Sequence, residues 1–133
     1  MTSLLLRRTL WKWLFWAYFT VLTLLLLWPR LTLPAVVERP DLWVHCGTFG
    51  LFALLLCMWN PRRLQAWWQV VLLTAAAGVA YGGVTELLQS IPVLHRTAAL
   101  DDWAADSLGV ACGTAVFALV RWRMSRECGP SRT

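Results

Sequence analysis

Charge is what this chain has least of: Asp, Glu, Lys and Arg make up only 14% of its 133 residues. A soluble domain of this length needs a larger charged fraction to cover its surface. Other absences narrow the field. The four cysteines, Cys46, Cys57, Cys112 and Cys128, lack the spacing of a zinc site. The first three lie within apolar segments and read as small buried hydrophobes. Gly-x-Ser-x-Gly is missing, and so is the His-Glu-x-x-His spacing of zinc proteases. Internal repeats and low-complexity tracts are missing too. Basic residues precede the first apolar run, as in a signal peptide. No small-x-small cleavage site follows, however, and the run reads as a retained anchor.

What the chain has is apolar sequence in long runs. It is 59% hydrophobic and carries ten tryptophans. Four runs near the length of a bilayer crossing predict an all-α bundle of four transmembrane helices in one domain, residues 1–133. The first run extends from Trp13 to Trp28, without charge and with tryptophans at both ends, as in interfacial belts. The second starts near Asp41 and stops at Asn60-Pro61. The third spans Ala66 to Gln89, and the fourth Asp102 to about Val120. The first, second and fourth are somewhat short, which predicts polar helix ends or slight bilayer thinning. Gly78 and Gly82, and then Ala105, Gly109 and Gly113, recur every four residues and predict close helix approach.

The sparse charge is placed asymmetrically. Arg7, Arg8 and Lys12 precede the first run, Arg62 and Arg63 separate the second and third, and Arg121, Arg123, Arg126 and Arg132 follow the fourth. Nine of twelve basic residues therefore share one side; Arg30, Arg39 and Arg96 form the remainder. The positive-inside rule then puts both termini in the cytoplasm. These residues flank spans and form no patch with interleaved aromatics, which argues against nucleic acid as a partner. The lipid bilayer is the expected partner, and so small a bundle leaves room for a homo-oligomer.

Against this background, polar residues within the runs stand out. Asp41 and His45 open the second run, Glu86 and Gln89 close the third, and Asp102 and Asp106 open the fourth. Alternating spans would bring all six to the outer membrane level, and polar residues inside spans are costly enough to mark function. Asp41 is placed to cap its helix. It also shares a face with His45, for which it is a natural orienting partner. One of Asp101 and Asp102 has a capping explanation as well. Glu86 sits where a carboxylate opposes the helix dipole, so it needs a proton, a cation or a basic neighbour such as Arg96 or His45. Asp106, a turn inside its helix, has the same need.

The order and spacing of these residues resemble the VanZ-like family of small bacterial membrane proteins. The resemblance rests on Asp41-Leu42-Trp43-Val44-His45, on Tyr81-Gly82-Gly83-Val84-Thr85-Glu86-Leu87-Leu88-Gln89, on Arg96, and on Asp102-Trp103-Ala104-Ala105-Asp106-Ser107-Leu108-Gly109. It covers residues 41–113. Cys46 stands where the family usually has an aromatic, and Asp106 replaces an Asn. The resemblance implies a multi-pass protein of the bacterial cytoplasmic membrane, and a link to the cell envelope and to resistance against the glycopeptide antibiotic teicoplanin.

Three functions remain open on the sequence. The outer-facing site would bind a head group, a cell-wall fragment or a glycopeptide, with Asp41, Gln89, Arg96 and Asp106 as ligand-binding residues. Alternatively, a membrane-embedded enzyme would act on a lipid-linked substrate. His45, Glu86 and Asp102 are then the candidate catalytic residues, with His45 as base and Glu86 as acid. The only cofactor suggested is a divalent cation held by Glu86, Asp102 and Asp106 through oxygen ligands. The third reading is a structural plug of ion-paired residues.

Overall fold

The computed structural model describes residues 2–28, 40–59, 66–91 and 99–127, with side chains at 9–28, 42–59, 66–91 and 99–126. These residues form four helices: α1 (Thr2–Leu26), α2 (Pro40–Trp59), α3 (Trp67–Gln89) and α4 (Leu100–Glu127). Each is long and apolar enough to cross a membrane, so the expected all-α architecture of four spanning helices stands. The connecting segments at 29–39, 60–65 and 92–98, which contain Arg96, lie outside the described residues, as does the side chain of Asp41.

The helices are longer than the apolar runs alone predict. α1 starts at Thr2, so Arg7, Arg8 and Lys12 ride on its first turns. α4 continues to Glu127. Its 28 residues span about 42 Å at 1.5 Å per residue, more than the roughly 30 Å of hydrocarbon. The excess carries Arg121, Arg123 and Arg126 past the apolar part. There the Arg126 guanidinium lies 3.8 Å from the centre of the Trp122 ring. Shortness is thus absent in α1 and α4: periodicity marks the part of a helix that meets lipid, while the hydrogen-bonded backbone runs on until a breaker.

Contacts fix the directions. Cys46 and Gly50 of α2 meet Gly109 and Gly113 of α4 in the same order, so these two helices run parallel. A Cβ on Gly109 would collide with the Cys46 carbonyl, and one on Gly113 with the Gly50 carbonyl. The backbones touch because these side chains are missing. α3 runs antiparallel to α4: Gly78 faces Val110, and Gly82 faces Asp106. α1 is antiparallel to α2, with the Tyr18 hydroxyl donating to the Thr48 carbonyl at 2.9 Å and Phe15 stacked on Trp59.

The core is largely aromatic. Phe15, Leu22, Leu26, Phe49, Phe52, Ala53 and Val110 are buried together, with Phe19 and Tyr81 packed against them. Tyr81 stacks on Phe52 and shares a 2.8 Å hydrogen bond with Thr23 of α1. Outside, Trp43, Leu72, Leu87 and Leu108 are exposed. Apolar surface facing outward suits a lipid solvent, in which only internally satisfied backbone survives. This arrangement brings the C-terminal ends of α1 and α3 and the N-terminal ends of α2 and α4 to one end of the bundle.

Candidate functional site

Each polar residue of this end is delivered by a specific packing event. The α2–α4 seam, closed at Gly109, sets His45 opposite Asp106: Nδ1 lies 2.8 Å from Oδ1. A single proton bridges them. Asp102, one turn earlier on α4, brings Oδ2 to within 3.9 Å of His45 Nε2. His45 is thus approached from both ring nitrogens by carboxylates of one helix. Glu86 enters from α3. A ring nitrogen of His45 and one carboxylate oxygen each of Glu86 and Asp106 all lie within 4.8 Å of one another.

The three groups sit about 5–9 Å inside the helix ends, at 1.5 Å per residue. They are nevertheless closed off: His45 is 6%, Glu86 5% and Asp106 0% exposed. Asp102 is the outermost, with 14% of its side chain exposed. Two carboxylates and an imidazole between apolar walls need compensating positive charge, from protons or from a cation.

Their hydrogen bonding is incomplete. Glu86 Oε2 accepts the N–H of Ala99 at 3.0 Å. Glu86 Oε1 and Asp106 Oδ2 are buried without a hydrogen-bond partner among the described residues. Asp106 Oδ2 is directed at α3: a Cβ on Gly82 would come within 3.1 Å of it. Gly82 lies one turn before Glu86, so the orphan oxygen faces the stripe of α3 that carries Glu86.

The structure therefore joins His45, Glu86, Asp102 and Asp106, and assigns some roles differently from the sequence. The described partner of His45 is Asp106 on another helix; Asp41, read as its orienting neighbour, lies outside the described side chains. Glu86 does have a capping function: it accepts an N–H at the start of the next helix, α4, across the connection that follows α3. Gln89, expected beside Glu86, turns to α1, where its amide donates to the Leu26 carbonyl at 3.0 Å. It closes the C-terminal end of α1. Arg96 lies outside the described residues. Asp101 and Asp102 both stand in the first turn of α4, where acidic groups complement the dipole, and Asp101 is the exposed one.

Sequence reasoning missed the cross-helix His45–Asp106 pair. The signal was present: Gly109 and Gly113 mark a seam, and Asp106 is one turn before Gly109. It also missed Trp103, whose indole N–H donates to the Val79 carbonyl at 3.1 Å and ties α4 to α3 beside the cluster.

Chemically, the arrangement can orient one imidazole, hold one proton between two groups, and offer two carboxylate oxygens to a cationic or hydrogen-donating ligand. Compared with known proteins, the chain matches no protein-family model, no curated protein and no solved structure.

Proposed function

We propose that this protein is a VanZ-like protein of the bacterial cytoplasmic membrane, whose outer-facing polar site binds a cell-envelope ligand. The ligand presents an amine, a hydroxyl or a cation to His45, Glu86, Asp102 and Asp106. The orientation rests on the basic residues, nine of twelve of which lie on the side opposite the cluster. Both termini are then cytoplasmic.

The observation that carries the reading is the pair of orphan oxygens, Glu86 Oε1 and Asp106 Oδ2. A structural plug would be expected to satisfy its own buried groups, since an unpaired one costs about 1–3 kcal/mol and more when charged. Leaving two unpaired within one cluster suits a site that a ligand completes. A second reading, catalysis on a lipid-linked substrate, is favoured by the His45–Asp106 pair. An imidazole held at one nitrogen by a carboxylate has the orientation of a general base. Glu86 would then be the acid, with Asp102 at the entrance.

The test is expression in a teicoplanin-sensitive bacterial host, scoring susceptibility and membrane abundance together. The expected result is that the wild-type chain lowers susceptibility, while Glu86→Gln and His45→Ala abolish the effect at near-normal abundance. Unchanged susceptibility with the wild-type chain rejects the glycopeptide assignment. A loss of folded protein that accounts fully for a loss of phenotype rejects the ligand site and leaves the plug.

A further inference from the structure

We infer that His45, Glu86 and Asp106 together hold one divalent transition-metal ion of the zinc type. The inference rests on the reading of this cluster as a ligand site and names the cation that it holds.

Three independent features converge on it. The first is the donor set. One imidazole and two carboxylates suit zinc and its neighbours; calcium prefers six to eight oxygens, and magnesium keeps most of its waters. The second is distance. The three donor atoms lie within 4.8 Å of one another. Zinc binds nitrogen and oxygen at about 2.0–2.2 Å, so movements of under about 1 Å per donor bring all three onto one ion. The third is the unfinished hydrogen bonding. Glu86 and Asp106 are more than nine-tenths buried, and each keeps one oxygen without a described partner. Asp106 Oδ2 packs against Gly82, one helical turn from Glu86.

The bound ion takes the place of the proton between His45 and Asp106, and that proton moves to the other ring nitrogen, Nε2, on the side of Asp102. Three protein donors leave a fourth position open, the pattern of zinc sites that meet substrate rather than those that staple a fold. Asp102, 3.9 Å from the imidazole and partly exposed, stands where it can hydrogen-bond a water or ligand group in that position. A hydroxyl of the envelope ligand can take that open position through its oxygen.

The experiment uses the full-length chain without a polyhistidine tag, in detergent, stripped by a chelator. Zn2+ alone is the probe, titrated against a colorimetric competitor with excess Mg2+ present. One Zn2+ per chain should bind. Glu86→Gln and Asp106→Asn should each weaken binding by at least about tenfold, the loss seen even for residues that only support a ligand. Cys112→Ser, an exposed thiol outside the cluster, should bind as the wild type does. X-ray absorption on the wild-type complex keeps the test independent of variant folding. It should show only nitrogen and oxygen neighbours, with the scattering of one imidazole. Sub-stoichiometric binding, equal affinity in the variants, or sulfur neighbours at about 2.3 Å would each overturn the inference. If zinc fails to bind while Glu86→Gln still abolishes the envelope phenotype at normal abundance, the ligand site stands and only the metal is wrong.

Discussion

Asp106 of α4 holds His45 of α2 across a helix seam, Oδ1 to Nδ1 at 2.8 Å, with its own second oxygen unpaired among the described residues. One carboxylate thus does two things: it fixes a ring and keeps a second, buried acceptor open. An Asn at this position, as in the VanZ-like family that the sequence resembles, would keep the acceptor for the ring N–H and lose the charge.

The first prediction separates those roles. Asp106→Asn should fold, with a melting temperature in detergent close to that of the wild type. Asp106→Ala strands His45 Nδ1 and empties a fully buried position, at a cost of about 1–3 kcal/mol or more. Thermal unfolding of the two variants side by side checks it. Equal melting temperatures would mean that the His45–Asp106 bond contributes nothing to stability.

Gln89 supplies the second prediction. It donates to Leu26, whose carbonyl belongs to the last turn of α1, and is itself 1% exposed. Gln89→Leu removes that hydrogen bond and should lower stability by about 0.5–1.5 kcal/mol. It should leave zinc affinity unchanged, because the amide turns away from His45 and Glu86. A selective loss of ligand binding at full stability would return Gln89 to the site.

The third prediction concerns the seam itself. Gly109→Ala and Gly113→Ala place a methyl group against the carbonyls of Cys46 and Gly50. Backbone cannot step aside as a side chain can, so each should cost about 1–3 kcal/mol or more through overpacking. Gly47→Ala is the control, since nothing lies within 4 Å of the added carbon. Membrane abundance of the three variants gives the readout. Tolerance at Gly109 equal to that at Gly47 would contradict the close approach of α2 and α4.

The difference between what was legible in the sequence and what was not has a physical basis. Four spans follow from run length alone, because bilayer thickness fixes how many apolar residues a helix needs. The level of His45, Glu86 and Asp106 follows from their distance to the helix ends. Neither rule says which helix faces which. Run length could not show that Asp106, and not a residue on His45's own helix, takes Nδ1. That pairing depends on the parallel α2–α4 contact, which residues more than 60 positions apart create. Nor could local pattern separate Glu86 from Gln89. They are neighbours on α3, yet one turns to α4 and the other to α1, because a helix face narrower than a turn decides between two partners.

The last prediction tests orientation, on which any outer-face function depends. Nine of twelve basic residues flank the helix ends opposite the cluster, and the final turns of α4 carry three of them beyond the apolar stretch. Holding those charges on the cytoplasmic side puts the 92–98 connection outside. Single cysteines should be placed in a background with Cys46, Cys57, Cys112 and Cys128 replaced by serine or alanine. A membrane-impermeant thiol reagent added to intact cells should label position 95 and spare positions 63 and 132. Permeabilised cells should label all three. Labelling at 63 in intact cells with protection at 95 would invert the protein, and the cluster would then meet cytoplasmic ligands in place of envelope ones.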